Sequence, residues 1–248
     1  MSRFAVVDVE TTGMEADDEV VQIGVVILAD LKIEAVSRVY VMPDKEIPPP
    51  ASAVHHITLD TLAKADPIYT REAASDWLKI YTANCEAVIA HNAKFDSMFL
   101  PELCGKLPWV CTLVCAKHLW PDNPYGYSLQ VLRYWLKLKT PYLVGEAHMA
   151  EYDACVTAHL FVAMCQYLGR TYDPALPHLL ELSGRTPLQK TCLFGKHRGQ
   201  LWEDVPKDYM EWILNRQGAI ERGRLKEPSF PDEVIAACKQ QLGISETN

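Results

Sequence analysis

Three short acidic motifs carry the chemistry this sequence could do. The first is Asp8-Val9-Glu10, at the end of the apolar run FAVVDV. Side chains alternate along a strand, so Asp8 and Glu10 share one face and Val9 takes the other. Two neighbouring carboxylates repel unless a cation lies between them, and an all-oxygen donor set suits Mg²⁺ or Mn²⁺. A strand end that reaches water would also satisfy both. The same spacing recurs at Asp17/Glu19 and Asp44/Glu46, in polar stretches with no apolar run before them. The second motif, His91-Asn92-Ala93-Lys94-Phe95-Asp96, leaves an apolar strand and enters a helix. The third, His148-Met149-Ala150-Glu151-Tyr152-Asp153, opens a long apolar helical run. Acidic residues favour the first turn of a helix on dipole grounds alone, and His-x4-Asp occurs again at His55/Asp60. Each motif is modest by itself. Together they would bring four carboxylates and one imidazole to one place, and such a cluster needs divalent cations to stay ionised at neutral pH.

The elements that must deliver these groups follow from periodicity. Residues 4–9, 20–29 and 37–42 read as strands of an antiparallel start, and 86–90 and 109–112 as further short strands. Residues 43–51, PDKEIPPPA, form a proline-rich connection. Helical spacing covers 58–65, 69–83, 94–104, 113–120, 128–138 and 150–168, with a loop over 140–148. Strands first, then strands alternating with helices, predict an α/β fold: an RNase H-like mixed sheet flanked by helices, over residues 1–170. Three prolines in DPALPHLLELSGRTP place a linker at 171–184. Residues 185–248 then form a small basic α+β appendage, with a strand-like TCLFG, a KHRG turn and helices near 207–216 and 231–242.

The chain has 248 residues and a formal net charge of −8, which argues against bulk nucleic-acid binding. The average hides an asymmetry. Residues 185–226 carry nine Lys/Arg against five Asp/Glu, whereas residues 1–170 carry fourteen against twenty-one. Eight cysteines occur without any CxxC pair. Free thiols are the expectation, and Cys111, Cys115 and His118 lack a fourth zinc ligand. No stretch of 18 apolar residues exists, and a carboxylate at position 8 is incompatible with a secretory h-region. A cytoplasmic location without membrane partners is expected. No P-loop, GxGxxG, GxSxG or HExxH motif is present.

The segments VVDVETTGM, HNAKFD and HMAEYD resemble the three motifs of the DnaQ-like, DEDD-type 3′→5′ exonucleases, and the His-x4-Asp form of the third places the likeness in the histidine-bearing subgroup. SAVHHIT resembles the family's Val-His-x-Ile element, although Pro48, Pro49 and Pro50 stand where relatives often carry a polar residue. The tail LFGKHRGQLWEDVPKDYMEWILNR resembles the C-terminal segment of one deoxyribonuclease branch. The resemblance implies hydrolysis of the terminal phosphodiester at DNA 3′ ends, single-stranded or duplex, releasing 5′-mononucleotides in a DNA-repair setting. It implies two divalent cations, Mg²⁺ or Mn²⁺, held by Asp8, Glu10, Asp96 and Asp153, with His148 as general base; a free imidazole titrates near ~6.5, suited to that role. Thr12, Gly13, Met14, His55, Asn92 and Phe95 match positions near the terminal nucleotide. Lys196 and Arg198 could contact phosphates from the tail. Trimming of RNA by the same chemistry, or a silent binding module on the same fold, are the competing expectations.

Overall fold

A computed structural model of the chain describes residues 2–103, 105–140, 147–169, 172–187 and 190–244. Cys104, residue 171 of the expected linker and residues 141–146 of the expected loop lie outside them.

By compactness the chain divides into two units, Met1–Cys115 with Tyr125–Ser183, and Ala116–Pro124 with Gly184–Asn248. The first unit is built on one six-stranded sheet. Its strands are β1 (Arg3–Thr11), β2 (Val20–Ala29), β3 (Lys32–Val41), β4 (Ile68–Tyr69), β5 (Ala87–Ala90) and β6 (Trp109–Cys111). Their order across the sheet is β4-β3-β2-β1-β5-β6. The pairs β1–β2 and β2–β3 are antiparallel, and β3–β4, β1–β5 and β5–β6 are parallel. This is the mixed sheet that the strand-then-alternation order predicts.

The pattern of burial follows from position. β2 is buried at every residue, as a strand covered on both faces must be, while β3 alternates between sheltered and exposed residues over most of its length. Ala5, Val7 and Val9 of β1 face a core that also holds Ala74 and Leu78 of α3 (Arg71–Thr82) and Phe99 of α4 (Ala93–Phe99). The alternate residues of β1 turn to the other face. There Phe4 packs on Phe161 of the long helix α7 (Ala150–Tyr167), with ring centroids 5.5 Å apart. Asp8 and Glu10 share the parity of Phe4, so they emerge on the α7 side of the sheet.

The remaining helices of this unit are α1 (Pro49–His55), α2 (Leu59–Ala63), α5 (Thr112–Leu119, which continues beyond Cys115), α6 (Leu129–Trp135) and α8 (Tyr172–Ser183). Two of them differ from the sequence reading. The prolines read as a connection open α1, because a first-turn position needs no N–H and its φ is already helical. The segment expected as a linker is α8, despite Pro177 inside it. Its Ala175, Leu179 and Leu182 are buried at helical spacing, and the Ser183 hydroxyl accepts from the Cys111 amide at 2.9 Å. Burial of that stripe outweighs the one internal hydrogen bond that Pro177 removes. The short β4 takes in Tyr69, which the helical spacing assigns to the following helix.

The second unit has its own core, made by Cys192, Trp202, Val205, Met210, Ile213, Val234, Ala237 and Cys238. Helices α9 (Lys207–Glu221) and α10 (Asp232–Gln241) supply most of it. The TCLFG segment contributes one antiparallel bridge, Thr191 to Leu201. Among the described residues, no helix is long and apolar enough to cross a membrane.

Candidate active site

Asp8 and Glu10 are fixed by the register of β1 on β2, where Asp8 lies opposite Gly24 and Glu10 opposite Gln22. Both β2 residues matter to what lies above them. A Cβ on Gly24 would stand 2.3 Å from the carbonyl carbon of Ala150, so the first turn of α7 rests directly on the backbone of β2. The fully buried Gln22 accepts, through Oε1, a hydrogen bond from the Ala150 amide at 2.8 Å, one of the donors a helix start leaves open. Its Nε2 has no hydrogen-bond partner among the described residues. These two contacts set α7 over the two carboxylates of β1, and Asp153 lies in its first turn. The side chain of Asp153 accepts from Gln130 Nε2 at 2.8 Å and from the His148 backbone amide at 3.1 Å.

The result is convergence. Carboxylate oxygens of Asp8, Glu10 and Asp153 all lie within 4.8 Å of one another, the one such grouping of potential metal ligands among the described residues. Asp96 approaches from the other side of β1. Asn92, at φ 71°, makes the left-handed turn from β5 into α4, a conformation asparagine tolerates. That turn places Asp96 in the helix, 2% exposed, where the nearby Val9 amide favours its ionised form. β5 pairs with β1 only from Phe4 to Val6, so this part of β1 has no strand on that side.

Such a cluster holds its protons. Burial, then Asp96, Glu10, Asp153 and Glu151, push the Asp8 carboxyl well above the usual range. Burial, followed by the charges of Asp153, Asp96 and Glu151, raises Glu10 to about 8. Burial raises Asp96 to about 8, against the lowering effect of its own amide and that of Val9. Asp153 is raised by burial as well, opposed first by the His148 amide. Nearby Glu151 is ion-paired with Arg38. The site lacks positive charge at its centre, and its donors are all oxygen, so hard divalent cations fit it.

The other expected residues are placed as follows. His148 is exposed, at φ 66°, in the turn that leads into α7, and its charge favours ionised Asp153. His55 is buried and tied into the chain: Nδ1 accepts from the Ile57 amide at 3.0 Å, so Nε2 carries the proton toward the Thr11 carbonyl at 3.2 Å. Burial lowers its pKa and keeps it neutral. The Thr12 hydroxyl donates to Asp18 at 3.0 Å and accepts from the Glu19 amide. Gly13 makes room for Asp18, whose carboxylate would lie 2.3 Å from a Cβ there. Met14 is 77% exposed. Phe95 packs on Phe99 with centroids 5.0 Å apart, and Asn92 is exposed. Lys196 and Arg198 belong to the second unit, exposed in a turn bounded by Gly195 and Gly199. His91, part of the second motif, is structural: its ring joins Thr112 Oγ1 at 3.0 Å and the Tyr127 carbonyl at 2.9 Å. All seven described cysteines are free and buried. Cys115 bonds the Leu179 carbonyl, and burial pushes its thiol up to about 12.

Sequence reasoning passed over Gln22, Gly24 and Gln130. The first two carried a signal. A lone amide and a glycine inside VVQIGVVILA interrupt an otherwise apolar strand, which marks a close approach. Gln130 carried none.

Comparison with known proteins agrees with this geometry. Exodeoxyribonuclease 10 of Escherichia coli (strain K12) is 31% identical over 216 residues, covering 85% of this chain and 90% of that protein. DNA polymerase III subunit epsilon of Treponema pallidum (strain Nichols) is 35% identical over 184 residues, covering 71% and 82%. A solved structure, exonuclease X in complex with 5′ overhanging duplex DNA, matches with a TM-score of 0.61 at 30% identity, over 73% of this chain and 99% of that one. The exonuclease family profile matches residues 5–161, a span that holds all four carboxylates and His148. The converging acidic groups thus sit on the fold and within the sequence span of that family, and the chain belongs to the exonuclease family.

Proposed function

We propose that this chain is a metal-dependent 3′→5′ exodeoxyribonuclease that hydrolyses the terminal phosphodiester of DNA and releases 5′-mononucleotides. The observation that carries this reading is the convergence of Asp8, Glu10 and Asp153 oxygens within 4.8 Å, with Asp96 beside them, in a site short of positive charge. Deoxyribonuclease activity in the name of a relative aligned over 85% of the chain supports DNA as the substrate.

In this reading Asp8, Glu10 and Asp153 would hold one Mg²⁺ or Mn²⁺, and Asp8 and Asp96 would serve a second. When bound, such cations neutralise the scissile phosphate and make a water more acidic. His148 takes a proton from the attacking water as its oxygen bonds to phosphorus. The bond from phosphorus to the 3′-oxygen breaks, and that oxygen leaves on the shortened strand and is protonated from solvent. His148 is exposed on the turn before α7, so its ring is open to solvent for proton exchange. The backbone amide of the same residue orients Asp153. Met14, at the tip of its loop, offers an apolar surface to the terminal base. Asn92 and Phe95 flank the start of α4, near the sugar. His55 and Thr12 act mainly by holding the loop, because their polar atoms are engaged within the chain. Lys196 and Arg198 of the second unit contact phosphates of nucleic acid.

The test is cleavage of 5′-labelled DNA and RNA in Mg²⁺ or Mn²⁺. Stepwise shortening of DNA with 5′-mononucleotide release, abolished in Asp8→Ala, is the expected result. Activity confined to short RNA would replace DNA with RNA as substrate. Absence of any cleavage would leave a binding module.

A further inference from the structure

The motifs FGKHRG and Tyr-x-x-Trp in the second unit have no part in the carboxylate site. They meet in space. Tyr209 and Trp212, one turn apart on α9, stack with centroids 5.5 Å apart and planes 21° apart. The Lys196 ammonium lies over the Tyr209 ring at 5.3 Å, and His197 meets the same ring edge-on at 4.7 Å. The turn can sit this close because Gly195 has no side chain; a Cβ there would lie 2.4 Å from the Tyr209 hydroxyl. Met210 and Ile213 of α9 are buried in the core and Tyr209 is half-buried against it, while Trp212 remains 46% exposed. A large aromatic left in water beside a basic turn marks a contact surface.

We propose that this surface binds single-stranded nucleic acid by stacking a base on Tyr209, backed by Trp212, with Lys196 and Arg198 on the adjoining phosphates. The proposal rests on the nucleic-acid reading of the first unit and adds the mode of strand capture. Charge and shape select the occupant. Neither Lys196 nor Arg198 makes an ion pair among the described residues, so both cations are available to an anion. Single strands present planar rings and phosphates in alternation, which is the pairing of groups found here. Duplex DNA keeps its bases within the stack and offers only its backbone. The ring face that receives the base is the one Lys196 covers; its ammonium moves from the ring to a phosphate. Arg216 over Trp212 stays in place, held by its ion pair with Glu227.

The experiment measures binding of the full chain, in EDTA to prevent cleavage, to fluorescein-labelled oligo-dT and to a blunt duplex by anisotropy. Stacking contributes about 1–3 kcal/mol per base, or roughly 5–150-fold in affinity. Tyr209→Leu and Trp212→Ala are each expected to weaken oligo-dT binding within that range, with Tyr209→Phe close to the parent. Lys196→Ala is expected to lower the slope of log affinity against log salt by about 0.7, the single-strand value for one phosphate contact. Circular dichroism checks that each variant is folded; Tyr209→Phe and the exposed Trp212 carry the test if Tyr209→Leu is not. Unchanged oligo-dT affinity in folded Tyr209→Leu and Trp212→Ala overturns the proposal, as does an equal loss on duplex. Cleavage by the parent chain is scored separately. A parent that cuts DNA while the variants bind normally refutes the surface alone. A parent that binds through Tyr209 but cuts nothing refutes the nuclease reading alone.

Discussion

Replacing Asp8 with asparagine is expected to stabilise the metal-free protein while abolishing hydrolysis. Burial raises the pKa of all four carboxyls, and for Asp8 and Glu10 the neighbouring carboxylates raise it further. Their pKa values in the folded chain are higher than in the unfolded one, so between pH ~4.5 and ~8 the folded state binds more protons, and stability falls as pH rises through that window. Carrying Glu10 from 4.5 to about 8 corresponds, at 1.36 kcal/mol per pH unit, to a ceiling of roughly 5 kcal/mol above pH 8. Asparagine at position 8 removes the charging penalty of one such group and relieves its neighbours. With water entering the cleft, about 2 kcal/mol of that ceiling is a reasonable share, or roughly 4–8 °C in Tm for a chain of this size. The assay is thermal unfolding of both proteins in EDTA at pH 5 and pH 8.5, then with Mg²⁺. The two should melt closer together at pH 5, where Glu10 and Asp96 are neutral. At pH 8.5 the variant should melt higher, and Mg²⁺ should raise the Tm of the parent much more than that of the variant. A parent whose metal-free Tm does not change between the two pH values, or a variant that gains nothing at pH 8.5, would show that the carboxylates carry no such strain.

Three further outcomes are expected. Gln22→Leu should raise the Mg²⁺ concentration needed for half-maximal hydrolysis, because it leaves the buried Ala150 amide unpaired at a loss of about 1–3 kcal/mol, whereas Gln22→Glu keeps the acceptor and should retain most activity; equal behaviour of the two in a metal titration would remove Gln22 from the positioning of α7. His148→Ala should lower kcat by roughly 10²–10⁴-fold with little change in Tm, and an unaltered rate would exclude a proton-transfer role. Gly24→Val should drive α7 off the sheet and reduce both Tm and metal affinity, since a displacement near 1 Å is enough to lose about 10²-fold in rate; normal metal affinity in a folded Gly24→Val protein would contradict the close contact.

Legibility from sequence varied with the physics involved. Asp8 and Glu10 could be read because a strand alternates strictly, and an apolar run ending in two carboxylates is conspicuous. Asp96 and Asp153 could be read because each opens a helix just after an apolar or loop segment. Their convergence depends on Gln22 and Gly24, contacts between residues 126 or more positions apart in sequence, which no local pattern reports. Prolines misled twice, at α1 and α8, because a breaker rule ignores the first turn and the strength of a buried stripe. The competing carboxylate pairs also resolved physically: Asp17 and Glu19 lie in the polar loop, where Glu19 accepts backbone amides of Asp44 and Lys45.

Asp96 stands buried where β1 runs on past its pairing with β5, and the Val9 amide favours its ionised form. Alanine at this position would empty a buried space as well as remove a ligand, and a dead Asp96→Ala protein would exaggerate the residue's share of the chemistry. Asparagine, of nearly the same shape, is the fairer probe of what the negative charge itself contributes.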